Sequence, residues 1–133
     1  MSLKTIENIV FLKNLTDRTG RVYNKDEMLS EISKHPSFYG IIGHEYGPLS
    51  LDKVSHVARN LRLEGNDLIG DIDILNTPMG NILFQLMEQG IEFQTSMRAI
   101  GVVNDHREVT ELTLEGFNME PKASDGEIMG KSY

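Results

Sequence analysis

The chain has 133 residues, 39% of them hydrophobic and 25% charged, which is enough for the core of one domain and too little for two. A net charge of −7 opposes capture of phosphate backbones, and the absence of cysteine removes disulfides, a thiolate nucleophile and cysteine-ligated zinc. The apolar runs are only a few residues long, so neither a membrane span nor a secretory leader is expected, and serine is left as the default nucleophile.

From the N-terminus, Ile9-Val10-Phe11-Leu12 reads as a first strand, and Asp17-Arg18-Thr19-Gly20-Arg21 as a Gly-centred turn. Asn24 is placed to cap a short helix, with Glu27 closing a capping box and Met28, Leu29 and Ile32 forming its apolar stripe; His35-Pro36 ends it. Phe38 to His44 reads as a strand in which Gly40 and Gly43 permit close backbone approach or a bend. Val54 to Leu63 and Leu68 to Leu75 form an expected hairpin about Glu64-Gly65-Asn66-Asp67, with Ile72 and Ile74 inside and Asp71 and Asp73 in water. Thr77-Pro78 opens the clearest helix, whose Met79, Ile82, Leu83, Leu86 and Met87 share a face and which Gly90 stops.

The next strand holds the chemically informative residues. Ile91, Phe93, Thr95, Met97 and Ala99 alternate with Glu92, Gln94, Ser96 and Arg98, so Ser96 and Arg98 share the polar side. A serine in such a place is ordinarily a solvated hydroxyl, and Arg98 is ordinarily a surface ion-pair partner, here of the Glu92 or Gln94 neighbourhood. The hydroxyl becomes a nucleophile only where an imidazole can take its proton, which directs attention to His44 and, as a rival, His56. Alternation with Val54 and Ala58 favours a buried, structural His56. After the turn Asn104-Asp105-His106-Arg107, a last strand runs from Val109 to about Phe117, where Asn118 reads as a turn or edge residue. The sum is an α+β fold of one domain over residues 1–122: a small, mainly antiparallel sheet, closed or nearly closed, with helices outside it. Residues 123–133 read as a flexible tail. His35, His44, His56 and His106 match no compact ligand spacing, so no metal or other cofactor is expected.

Five segments in order resemble the prohead core proteases of tailed bacteriophages. They are Asp17-Arg18-Thr19-Gly20-Arg21-Val22-Tyr23; Gly40-Ile41-Ile42-Gly43-His44; Leu51-Asp52-Lys53-Val54-Ser55-His56; Glu64-Gly65-Asn66-Asp67-Leu68-Ile69-Gly70 with Ile74-Leu75-Asn76-Thr77-Pro78-Met79-Gly80; and Ser96-Met97-Arg98-Ala99-Ile100-Gly101. The resemblance extends from about Leu15 to Pro121. It implies an assemblin-like β-barrel surrounded by helices, and a serine endopeptidase of head maturation. The implied setting is the prohead interior within the host cytoplasm, and the implied substrates are scaffold and capsid-associated proteins, with no nucleic acid or membrane partner.

The same resemblance assigns roles. Ser96 matches the nucleophile of a Ser-Ser-Arg-Gly segment, with Met97 for the second serine, Arg98 retained and Ala99 for glycine. His44 takes the histidine's place in a Gly-Glu-X-X-His-Pro type segment, with Ile41 for the usual glutamate and Glu45 for proline. Asn118 stands where an acidic third residue is expected, with Asp105 and Glu120 as other candidates to orient the imidazole. Arg98 and the amides about Met97 and Ala99 are the implied oxyanion support. An aspartate steadies an imidazolium, whereas Asn118 offers only an amide oxygen, so slow or absent turnover is the alternative. Cleavage after glutamate is implied, and Asp125-Gly126-Glu127-Ile128 supplies a glutamyl bond for self-processing.

Overall fold

In the computed structural model, residues 2–43 and 50–122 are described. β1 (Ser2–Leu12), β5 (Asp67–Leu75), β4 (His56–Glu64) and β3 (Ser37–Gly40) form one antiparallel sheet in that spatial order. β2 (Val22–Tyr23), β7 (Glu108–Pro121) and β6 (Phe93–Val103) form a second, in which β2 runs parallel to β7 and β6 antiparallel to it. The two sheets do not close into a barrel, contrary to the expectation above. One seam between them is hydrogen-bonded through the backbone, where Met119 N donates to Ile41 O at 3.0 Å and Gly43 N donates to Met119 O at 2.7 Å. On the opposite side β1 and β6 are both outer strands among the described residues, with no ladder between them.

Both helices begin where local chemistry requires. Asn24 accepts from Glu27 N at 2.9 Å to start α1 (Lys25–Ile32), and the Thr77 hydroxyl accepts from Gly80 N at 3.0 Å to start α2 (Pro78–Glu88) at the proline. Gly90 follows α2 with φ +93°, the left-handed conformation anticipated for it. The core joins Leu12, Met28, Phe38, Leu68, Ile72, Ile74, Leu83, Leu112 and Leu114, and Phe11 meets Phe117 across the two sheets at a ring separation of 4.3 Å.

The strands are longer than their apolar alternation indicates. β1 begins at Ser2 rather than near Ile9, and its inward residues fall three apart at Leu3, Ile6 and Ile9 because its register slips repeatedly. Asn8 and Asn60 take φ +59° and +56° at bulges in β1 and β4, and between them the Asp71 carboxylate accepts from Asn8 N at 3.0 Å and Asn60 Nδ2 at 3.2 Å. Asp71 is therefore 5% exposed rather than in water, and Asp73 is likewise engaged, by Arg59 Nε at 2.5 Å and the Thr5 hydroxyl at 2.6 Å. β3 ends at Gly40, short of the His44 limit, and β6 starts at Phe93 and continues to Val103.

The edge of β7 away from β6 is covered by different devices in turn. β2 pairs with Glu108 and Val109, and the segment from Ile41 to Gly43 covers Met119. Between them, Glu27 and Glu31 project from α1 one helical turn apart and accept from Leu112 N at 2.9 Å and Leu114 N at 2.8 Å. Two carboxylates thus do what a neighbouring strand's carbonyls would do.

Candidate active site

β6 and β7 set the position of Ser96. The register pairs Ser96 with Asn118, Met97 with Phe117 and Thr95 with Met119. Ser96 is half-buried, its hydroxyl makes no hydrogen bond to a described residue, and it lines a cleft of about 980 Å³ between β1 and β6. Met97 and Ala99 pack partly against the core, as the alternation anticipates, and both also line the cleft. Arg98 is largely buried and its Nε lies 3.2 Å from Glu115 Oε1 on β7, not beside Glu92 or Gln94.

Asn118 is neither a turn nor an edge residue. It lies within β7, is 4% exposed, and its Oδ1 accepts from Ile41 N at 3.2 Å. Because Ile41 N is a donor, the atom facing it must be the amide oxygen, which fixes the orientation of the side chain. Asn118 thereby holds the segment that ends at Gly43, whose φ of +87° turns the chain. His44 itself lies outside the described residues, as do Glu45 and the glutamyl bond at Glu127. Gly43 hydrogen-bonds to Met119, whose partner across the ladder is Thr95, so the residue before His44 lies two strand spacings, about 10 Å, from β6.

His56 is fully buried and bridges the sheets. Its Nε2 lies 2.7 Å from Phe117 O and its Nδ1 2.7 Å from the Ser55 hydroxyl. A carbonyl can only accept, so Nε2 carries the proton and Nδ1 accepts from Ser55. Burial pushes its pKa down to about 4, against the opposing pull of the Phe117 carbonyl. With both nitrogens committed, His56 is a structural tie, in agreement with the reading from alternation. Gly40 makes the tie possible, because a Cβ there would stand 1.9 Å from Phe117 O and 2.2 Å from His56 Nε2.

Two other candidates for orienting an imidazole are already occupied or remote in the ladder. Glu120 Oε1 accepts from Arg18 at 3.1 Å and from Gln94 Nε2 at 3.0 Å, while Asp105 lies in the turn between β6 and β7. The turn at Asp17 forms the cleft's other end. Its carboxylate accepts from Thr19 N at 2.9 Å, Arg21 N at 3.0 Å and the Tyr23 hydroxyl at 2.8 Å. Burial raises the Asp17 pKa, but these bonds outweigh it and leave the group below its ordinary value; burial and the same carboxylate raise that of Tyr23. Arg18 carries no local sequence signal of a role at the cleft. Its NH1 donates to Thr95 O at 2.7 Å, and only its place in the Asp17 to Tyr23 segment marked it beforehand.

The sequence matches no family model and no curated protein. Among solved structures, the chain is similar to the bacteriophage T4 capsid assembly protease, gp21, with a TM-score of 0.73, at 14% identity, over 88% of this chain and 90% of that one. At this identity the similarity is one of fold: mostly strands, with two helices, in the arrangement of a phage capsid assembly protease.

Proposed function

We propose that the chain is a serine endopeptidase of phage head maturation that cuts scaffold and capsid-associated proteins after glutamate, and its own tail at Glu127, within the prohead. The observation that carries this reading is the row formed by Ser96, Asn118 and the Ile41 to Gly43 segment: a half-buried serine bordering a large cleft, with the chain leading to His44 tied to the adjacent strand. The shared fold with a capsid assembly protease supports it.

In this mechanism His44 removes the Ser96 proton as Oγ attacks the scissile carbonyl, then returns it to the departing amine; water repeats the sequence on the acyl-enzyme. The second lone pair of Asn118 Oδ1 receives the other imidazole N–H. The Met97 amide, with Arg98 and the Ala99 amide behind it, meets the oxyanion. Residues 1–122 form the protease domain and the tail is substrate. A serine-directed phosphonate tests the chemistry: it is expected to label Ser96 in the native chain and to lose most of that labelling in His44→Ala. Equal labelling of both would refute the assigned base.

One observation favours a second reading, a catalytically weak relative serving in capsid assembly. Asn118 cannot bear the negative charge that steadies an imidazolium, and its oxygen already accepts from Ile41. Asn118→Asp keeps that acceptor and restores the charge. A rise of 100-fold or so in phosphonate labelling would mark the native chain as the weak form; an unchanged rate would favour the asparagine-assisted protease.

A further inference from the structure

Among the described residues no strand pairs with the outer edge of β6, and a side chain holds it instead. Thr95 O accepts from Arg18 NH1 at 2.7 Å, so it points away from β7, whereas Glu92 O, three residues earlier and of the other parity, accepts from Lys122 N at 2.8 Å on the β7 side. Alternation along an antiparallel strand then turns the N–H and C=O of Met97 to the open side with those of Thr95. The Arg18 guanidinium stands where the N–H of a neighbouring strand would donate, and NH2 holds it there through Glu120 Oε1 at 3.1 Å. The Arg18 side chain is 54% exposed, so it can leave this position without disturbing the core. Across the cleft β1 offers Ile6, Ile9 and Phe11, and Arg21 and Lys13 line it with Asp17, Lys13 being paired with Asp67 at 3.2 Å.

We infer that Arg18 is a gate for the β6 edge, opened by a carboxylate on an incoming extended peptide. A strand that pairs with Thr95 and Met97 must displace the guanidinium from Thr95 O, and an acidic side chain on that strand gives the guanidinium a charged partner in exchange. Occupation of the edge is thereby coupled to an acidic residue in the occupant. The inference rests on the reading of the chain as a peptidase and deepens it, since it names the residue through which acidic substrates would be selected.

The test is binding, read without cleavage in a Ser96→Ala background. A fluorescein-labelled peptide of about ten alternating aliphatic and polar residues, with one central glutamate, is compared by anisotropy with its glutamine twin. The glutamate peptide is expected to bind roughly fivefold to tenfold more tightly. In Arg18→Ala, and in Arg18→Met, which keeps the aliphatic stem, the ratio is expected to fall to about one while the glutamine twin binds more tightly than before. Lys25→Ala, exposed on α1 and outside the cleft, is expected to leave both peptides and their ratio unchanged. A ratio that survives loss of Arg18, a glutamine twin that gains nothing, or no binding of either peptide would overturn the gate. Because no bond is cut, a chain that binds in this way yet fails to cleave would refute the peptidase and leave the gate standing.

Discussion

His56 gives a stability experiment whose size and pH window follow from its surroundings. The folded chain keeps the ring neutral to about pH 4, whereas an unfolded chain protonates it near 6.5. Between those values the unfolded state binds the extra proton, so stability is full above 6.5 and is lost as pH falls towards 4, at up to about 1.4 kcal/mol per pH unit. From pH 7 to pH 5 the loss assigned to this group is about 2 kcal/mol. His56→Gln is the comparison, because its amide N–H can still reach Phe117 O but does not titrate. The variant is expected to be about 1–2 kcal/mol less stable at pH 7, since Ser55 loses its acceptor, with the difference shrinking or vanishing by pH 5. Urea unfolding followed by far-UV circular dichroism at pH 7, 6 and 5 measures both. An equal loss in the two proteins over that range would refute a neutral, buried His56.

Glu31→Ala is expected to cost about 2 kcal/mol in the same urea assay, because Leu114 N is left buried without an acceptor, and Glu31→Gln about half as much. The Lys34 ammonium first, and the Leu114 amide second, hold the Glu31 pKa below its ordinary value. Its ionised contribution is therefore present above the ordinary carboxylate range and fades as pH falls through the lowered value, so the Glu31→Ala penalty should be smaller in acid. Gly40→Ala places a methyl 1.9 Å from Phe117 O, where backbone must move, and is expected to lower stability by about 3 kcal/mol in thermal melts; a melt unchanged from the native chain would refute the close packing of β3 on β7.

The parts legible in the sequence are those fixed by neighbours in the chain. Asn24, and Thr77 with Pro78, announce their helices because a cap is satisfied within three residues, and Gly65 announces the hairpin for the same reason, but the Glu27 carboxylate expected to close a box on Asn24 accepts from Leu112 N instead. Strand limits were obscured by bulges at Asn8, Asn60 and Glu111, whose positive φ values break the two-residue alternation without a glycine to signal them. The carboxylate caps from α1 to β7 join residues more than eighty positions apart, and no local pattern encodes them. At the candidate site, alternation with Val54 and Ala58 indicates the burial of His56, whereas Arg98, read as a surface residue, is largely buried against Glu115. Asn118 was misread as an edge residue because what covers it, the Ile41 to Gly43 segment, comes from the other sheet. The role of Arg18 was hidden likewise, since its partner Thr95 lies on a strand far along the chain.

Cleavage of peptide bonds by Ser96 is tested most directly on a protein substrate. A purified phage-type scaffold protein is incubated with the native chain and, in parallel, with Ser96→Ala, and all products are weighed intact by mass spectrometry. Fragments ending in glutamate are expected with the native chain and none with the variant. Fragments that appear equally with both, or an intact scaffold with both, would contradict cleavage by Ser96.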